Sequence, residues 1–388
     1  MLSLSEIPKL ITSNRRDVLS VSLDVDPTKP EHQDEPPAWR IWLRNELRAL
    51  LDRLPDEARR QAKQPAAHVL AFVEQERSQG RGLAIFAAED LWDVRVLPVP
   101  LRNRVHFGRP DVLPLLWAAD EYEPYAILAV NRERALLLVA YLGGTAVARA
   151  EVLELDTSQW RFASGRQPTS ARATGTGAGR GEARDTFDAR VDEHRRRLWQ
   201  GAAEAAGRWL QDARVDRLII AGPEEASSAV RNLLPETARS KLVAVVPVRS
   251  DLDAEEIHRA TTPMALAEEH ARERALVDDV VARAGGAGTV VGVRSTLAAL
   301  AREQIVTLVA GRDANGDVAQ CTRCGHVSAE TASVCPVCGG ELERTTLAQV
   351  LPLLARASGA RLEIVSGDAA ATLRAHGDLG GVLRYTVP

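Results

Sequence analysis

The chain has 388 residues, which is more than one typical hydrophobic core contains, so two or three domains are predicted. Apolar residues make up 45% of the chain and charged residues 26%, a globular composition that excludes a disordered or fibrous protein. The formal net charge of −4 excludes a protein that coats nucleic acid with its whole surface, so any phosphate contacts must come from local basic patches.

The first part of the chain mixes predicted strands and helices. Asp17–Val25 alternates apolar and polar residues, as a half-buried strand does. Apolar residues then recur at helical spacing from Trp39 to Glu76, with a predicted break at Pro65 that separates two amphipathic helices. Leu83–Ala87 and Val94–Val99 are predicted strands that complete a first unit of mixed α and β character.

Three β-rich runs come next, namely Tyr125–Val130, Ala135–Tyr141 and Thr145–Leu155. The connections between them are short and contain the asparagine and glycine residues that hairpin turns favour. These runs therefore predict an antiparallel meander.

A segment rich in glycine, serine, threonine and arginine follows, from Arg161 to Arg184, and its lack of hydrophobic periodicity predicts a long loop. Glu182 is its only acidic residue. A cationic glycine-rich loop can fit its backbone and guanidinium groups against RNA phosphates, although a solvated linker would have the same composition. The candidate RNA-binding residues are Arg161, Arg166, Arg172, Arg180, Arg184, Arg195 and Arg196.

A helix from Ala183 to Asp212 and a strand Leu218–Ala221 complete the middle part, and beyond residue 250 predicted helices and strands alternate as in an α/β domain. The predicted helices there are Ala265–Ala284, Ser295–Arg302 and Leu347–Ala357, and the predicted strands are Ile305–Ala310, Arg361–Val365 and Val382–Thr386. The fold class is therefore α/β and α+β, in three predicted domains of residues 1–120, 121–250 and 251–388.

All four cysteines lie in one short stretch, as two C-x-x-C pairs that are each followed by glycine. Two such pairs ten residues apart are typical of a zinc ribbon, and four thiolates fill every position of a tetrahedral ion. We therefore predict a structural zinc ion in an insert of residues 318–345. Its ligands are Cys321, Cys324, Cys335 and Cys338.

The same clustering predicts a reducing, cytoplasmic compartment, because no disulfide framework can span the chain. Glu6 and Lys9 interrupt what would be the apolar region of a signal peptide, and no run of about 18 uncharged apolar residues follows. A membrane partner is therefore not expected. No Walker, H-E-x-x-H or Ser-His-Asp signature favours a class of enzyme.

The order of a meander, a glycine-rich loop and a helix that carries Phe187 resembles the central domain of archaeo-eukaryotic class-1 release factors. The last domain is similar to the third domain of those factors and of Pelota, in Ala357–Ala360, Leu362–Ser366 and the ending Gly380–Tyr385. Leu218–Glu224 resembles the bacterial members of the superfamily. The resemblance implies a three-domain release-factor-like architecture with a divergent first domain and the zinc ribbon inserted in the C-terminal domain.

Two motifs of that superfamily are missing from the chain. The Gly-Gly-Gln that supports peptidyl-tRNA hydrolysis is absent, and Gly165-Arg166-Gln167 stands at the start of the loop instead. The first domain has neither the Asn-Ile-Lys-Ser run nor the cysteine-bearing motif of stop-codon readers. We therefore expect no decoding of stop codons and no catalysis.

A member without these motifs resembles the Balon-like hibernation factors, the bacterial relatives of Pelota. The resemblance implies binding to ribosomal RNA in the A site of idle or stalled ribosomes, for hibernation or rescue, with a translational GTPase such as elongation factor Tu as a further partner. Two alternatives stay open. One is a peptidyl-tRNA hydrolase in which Gln167 positions the attacking water, and the other is a zinc-ribbon module that binds nucleic acid or protein.

Overall fold

The computed structural model of the protein describes residues 7–13, 15–75, 80–141, 144–154, 179–212, 215–249, 253–286, 288–330 and 332–385. The chain folds into two compact units. Unit 1 combines residues 1–123 with residues 269–388, and unit 2 comprises residues 124–268. The three-domain division stays a prediction of the sequence.

The N-terminal part of unit 1 is a four-stranded antiparallel sheet in the order β3-β2-β1-β4, covered on one face by two helices. Its elements are α1 (Ile7–Ile11), β1 (Val18–Asp24), α2 (Ala38–Arg53), α3 (Asp56–Gln75), β2 (Gly82–Ala88), β3 (Leu91–Leu97), β4 (Arg104–Gly108) and α4 (Leu113–Glu121). A short 3₁₀ turn, Pro30–His32, precedes α2.

The alternation of β1 explains why the sheet is covered in this way. Leu19, Val21 and Leu23 belong to the core formed with α2 and α3. The intervening Ser20 and Ser22 point to the other face of the strand. There the Ser20 hydroxyl accepts the Asp111 amide at 3.0 Å and Ser22 donates to a backbone carbonyl, so both buried hydroxyls are satisfied.

The predicted helix break at Pro65 is wrong, because α3 continues through this proline. The break lies at Leu54, whose extended backbone (ψ 142°) is the conformation that a following proline, here Pro55, imposes. Pro65 is tolerated because the buried residues Ala62 and Ala66 continue the apolar face on either side of it. Pro65 itself, Val69 and Val73 are buried on the same helix, and burial of this whole face offsets a proline cost of about 3 kcal/mol.

The C-terminal part of unit 1 contains a mixed sheet in the order β10-β16-β11-β15, in which β11 is parallel to β15 and antiparallel to β16. The connection from β11 to β15 holds the cysteine insert and one helix. The elements are β10 (Thr289–Val291), α9 (Val293–Ala301), β11 (Ile305–Gly311), β12 (Asp317–Cys321), β13 (Val327–Ser328), β14 (Leu342–Thr346), α10 (Leu347–Ser358), β15 (Arg361–Val365), α11 (Gly367–Arg374) and β16 (Leu379–Leu383).

Unit 2 is a five-stranded sheet in the order β7-β6-β5-β8-β9, with buried residues on both of its faces. β5, β6 and β7 form the predicted antiparallel meander, and β5, β8 and β9 are parallel. The elements are β5 (Tyr125–Val130), β6 (Arg134–Tyr141), β7 (Gly144–Glu154), α5 (Gly179–Asp212), β8 (Leu218–Ala221), α6 (Glu224–Leu233), α7 (Glu236–Arg239), β9 (Leu242–Val246) and α8 (Ala254–Ala282), which continues into unit 1.

Several predicted boundaries differ from the structure. The last strand is Leu379–Leu383, three residues before its predicted position, and α8 begins eleven residues before Ala265. Most of the predicted loop Arg161–Arg184 lies outside the described residues, but Gly179–Arg184 already belongs to α5. Two glycines there cost about 1 kcal/mol each in helix propensity, which a helix of 34 residues offsets. In the described part of the chain, no helix has the length and apolar character needed to span a bilayer.

Leu43→Ala is expected to lower the free energy of unfolding of the protein by about 2–5 kcal/mol, because Leu43 is fully buried between α2 and the sheet and its truncation leaves a cavity. Ile41 lies on the same helix and is 47% exposed. Ile41→Ala is therefore the matched control and should change the free energy by less than about 0.5 kcal/mol. Urea denaturation followed by circular dichroism measures both changes, and equal effects would contradict the assigned packing.

Candidate functional site

The cysteine insert is a small antiparallel sheet in unit 1, in the order β13-β12-β14. β12 is its central strand and ends at Cys321, which lies opposite Leu342 of β14. Cys321, Cys335 and Leu342 form a small buried cluster together with Ala319. The sheet therefore fixes the position of the first cysteine, and the remaining ones reach it through turns.

The four cysteine sulfurs converge on one point. All four Sγ atoms lie within 4.8 Å of one another, and none of these cysteines is in a disulfide. Sγ of Cys321 is 3.5 Å from Sγ of Cys338, and Sγ of Cys324 is 3.6 Å from Sγ of Cys335. Each close pair therefore joins one C-x-x-C motif to the other, so the two motifs face each other.

Left-handed glycines form the two turns that carry the cysteines. Gly325 (φ +75°) and Gly339 (φ +70°) each follow the second cysteine of a pair, in a backbone region that favours glycine. Their amides donate to the carbonyls of Cys321 at 3.1 Å and of Cys335 at 3.0 Å, which closes each turn. The two turns therefore have the same construction.

Two backbone amides lower the pKa of the Cys321 thiol. The amides of Cys324 and Arg323 point at Sγ of Cys321, at 3.5 and 3.4 Å. The Cys324 amide is the main cause that lowers the pKa of the Cys321 thiol to about 6. A thiolate is the form that binds a metal, so the turn favours the ligand form of this cysteine.

The backbone at Gly340 passes close to the sulfurs of Cys321 and Cys338. A Cβ on residue 340 would lie 3.2 Å from Sγ of Cys321 and 3.3 Å from Sγ of Cys338, so Gly340 leaves these sulfurs room that a larger residue would take. The four cysteines can thus hold one metal ion. Since four sulfurs complete a tetrahedral coordination shell, such an ion would have no open position for water.

The structure separates the candidate RNA-binding arginines into three groups. Arg161, Arg166 and Arg172 lie outside the described residues, as does Gln167. Arg180 and Arg184 lie in the first turns of α5, and their side chains are outside the described part. Arg195 and Arg196 also lie on α5, and the structure describes their side chains.

Arg195 and Arg196 have acidic partners on or beside their own helix. The guanidinium of Arg195 is 3.0 Å from Asp192 and 3.9 Å from Glu225 of α6, and Arg196 pairs with Glu193. Arg197 also binds Glu193, and its hydrogen bond is the main cause that lowers the pKa of this carboxyl. The i,i+3 spacing of acids and arginines in the sequence could have indicated these pairs.

The central part of the chain matches a known family. Residues 110–266 match the model of Bacterial archaeo-eukaryotic release factor family 10, and a comparison with curated proteins gave no match.

The archaeal translation termination factor aRF1 is similar at 17% identity, over 98% of this chain and 97% of that one, with a TM-score of 0.24. Pelota of Archaeoglobus fulgidus is similar at 15% identity, over 78% of this chain and 79% of that one, with a TM-score of 0.35. Dom34 of S. cerevisiae is similar at 11% identity, over 83% of this chain and 78% of that one, with a TM-score of 0.41. The Dom34 structure describes a translation termination-like factor that interacts with Hbs1. Residues 110–266 are therefore similar to a bacterial family of the archaeo-eukaryotic release factors.

Proposed function

We propose that the chain is a ribosome-associated translation factor of the cytoplasm that binds the A site of idle or stalled ribosomes, in hibernation or rescue. It neither decodes stop codons nor catalyses peptide release. The observation that supports this proposal is the match of residues 110–266 to the release factor family. This range includes the meander and α5, which flank the arginine-rich segment.

The composition of the arginine-rich segment supports a role in RNA binding, and described elements of unit 2 lie on both sides of it. It leaves the sheet of unit 2 at the end of β7, an edge strand, and returns at the start of α5. Among the α5 residues whose side chains are described, those in the buried core lie at or after Leu198. From Arg161 to Ala178 the sequence contains three arginines and no acidic residue.

The ion pairs on α5 indicate which arginines contribute most. Arg195 and Arg196 already have carboxylate partners, so part of their charge is compensated within the protein. A phosphate would have to compete with these carboxylates. We therefore assign the main phosphate contacts to Arg161, Arg166 and Arg172, and smaller contributions to the arginines of the helix.

Replacing Arg161, Arg166 and Arg172 together by alanine should weaken binding to vacant 70S ribosomes. Each lost phosphate contact lowers the slope of log K against log salt by roughly 1, so the slope should fall by up to about 3. Sedimentation of the full chain with ribosomes across a salt series measures this. Adding elongation factor Tu with GTP to the same assay tests the proposed GTPase partner.

The matched control removes three exposed arginines from α2 of unit 1, Arg44, Arg48 and Arg53. This variant has the same net charge as the first one and should bind with the parental slope. Equal losses in the two variants would show non-specific attraction and contradict the assignment. Binding lost only when the cysteines are replaced would instead favour the zinc-ribbon alternative.

The four cysteines are proposed to bind zinc, which would cross-link the two C-x-x-C turns and hold the insert folded. Cys324→Ser with Cys338→Ser should remove the bound zinc, and Gly340→Val should weaken its binding because the added side chain would crowd two of the sulfurs. Metal analysis of the purified protein by mass spectrometry measures the zinc content.

Val337→Ser is the control, because Val337 lies between two cysteines but is 68% exposed and leaves every sulfur in place. It should retain the parental zinc content. Zinc retained by the double cysteine variant would contradict the proposed ligands. The hydrolase alternative depends on Gln167, and peptide release from stalled ribosomes that is lost in Gln167→Ala would favour it over the non-catalytic proposal.

A further inference from the structure

A second group of metal-ligating side chains lies in unit 1, away from the cysteines. Glu121 is the last residue of α4, and His270 and Glu273 lie one turn apart on α8. Residues three apart on a helix share one face, so His270 and Glu273 both point toward the end of α4. This Glu-His-Glu cluster joins residues that are 149 positions apart in the sequence.

The ligand atoms of the Glu-His-Glu cluster are close enough to share an ion. One ligand atom from each residue lies within 4.8 Å of the others, and Nε2 of His270 is 2.6 Å from Oε1 of Glu121. Glu121 and Glu273 are buried, whereas 40% of the His270 side chain is exposed. An ion could therefore enter from the histidine side and meet two buried carboxylates.

In the described part of the chain, no lysine or arginine forms an ion pair with Glu121, Glu273 or the adjacent Asp120. Both carboxylates of the cluster are buried, with 7% of Glu121 and 2% of Glu273 exposed. Isolated buried charges are costly, so a cation or protons must neutralise them.

The nearby arginines contact other groups. Arg272 lies 3.3 Å from Glu269 and 3.7 Å from Glu123, and Arg361 lies 3.1 Å from Glu123. The guanidinium of Arg312 stacks on the ring of Trp117, 3.3 Å from its centre. The guanidinium groups of these three arginines lie beyond ion-pair distance of Glu121 and Glu273.

Neutral donors orient the two carboxylates. Oε2 of Glu121 accepts from the Ser366 hydroxyl at 3.0 Å and from the indole of Trp117 at 3.2 Å. Oε2 of Glu273 accepts from the Ser366 amide at 3.1 Å. One oxygen of each carboxylate is thus held by the protein, as is common for ligands whose other oxygen binds a metal.

We propose that Glu121, His270 and Glu273 bind a divalent first-row metal ion, for which one imidazole nitrogen and two carboxylate oxygens are suitable ligands. The ion takes the place of the proton between Glu121 and His270, whose ligand atoms move apart from 2.6 Å to roughly 3.3 Å, the separation of tetrahedral ligands at about 2.0 Å from an ion. Three protein ligands leave one position for water. The ion would fasten α4 to α8 within unit 1.

Metal titration of the full chain tests this site. Protein loaded with one equivalent of zinc, which the four thiolates prefer, is titrated with Mn²⁺, and bound manganese is followed by electron paramagnetic resonance. Manganese prefers oxygen and nitrogen ligands to thiolates, so it reports on the second site. The parent should bind one equivalent of Mn²⁺, and Glu273→Gln and His270→Ala should bind at least about tenfold more weakly.

Two further variants separate a metal site from a merely structural cluster. Ser366→Ala removes a hydroxyl that orients Glu121 but no ligand, so it should weaken Mn²⁺ binding by about 10–100-fold. Asp278→Asn changes an exposed carboxylate on α8 and should leave binding unchanged. Parent protein that binds no Mn²⁺ would overturn the proposal whatever the variants do, as would unaltered binding in Glu273→Gln and His270→Ala.

Discussion

In unit 1, hydrogen bonds join the carboxylates of Asp120 and Glu273 to an edge strand and the residue after it. β15 is the outermost strand of its sheet, and its Ile364 amide donates to Oδ2 of Asp120 at 2.7 Å. The Ser366 amide, directly after the end of β15, donates to Oε2 of Glu273. Edge strands with unpaired amides tend to pair with other chains. The two carboxylates accept these amides and so protect the edge from such pairing. They also join segments that are far apart in the sequence. The same bonds bring Glu121, His270 and Glu273 together.

Unit 2 has a different organisation, in which one long helix packs on a sheet, and the described side chains that α5 buries in the core begin at Leu198. A hydrophobic second half that includes Leu198 and Trp209 holds α5 in place. The first half is rich in charge, and Arg195, Arg196 and Arg197 near the middle of the helix form local ion pairs. In the sequence, the connection between β7 and α5 contains three arginines and no acidic residue from Arg161 to Ala178, and this is where the proposed function places RNA.

Local signals predicted the meander and the cysteine insert well. The strand Tyr125–Val130 is confirmed at both ends, because an uninterrupted apolar run bounded by turn residues leaves little choice. The cysteines converge as their spacing predicts. By contrast, the sequence analysis contains no prediction for α4. Pro110 and Pro114 are more typical of a loop, but Pro114 lies in the first turn of the helix, where its missing amide costs nothing. The Glu-His-Glu cluster gave no sequence signal, since tertiary contacts alone bring its residues together.

A competition experiment tests the central claim, occupation of the ribosomal A site, most directly. Fluorescently labelled protein is bound to 70S ribosomes, and tRNA is then added to fill first the P site and afterwards the A site. The proposed function predicts that the protein stays bound when only the P site is filled and dissociates when the A site is filled. Protein that remains bound to ribosomes with an occupied A site would contradict it.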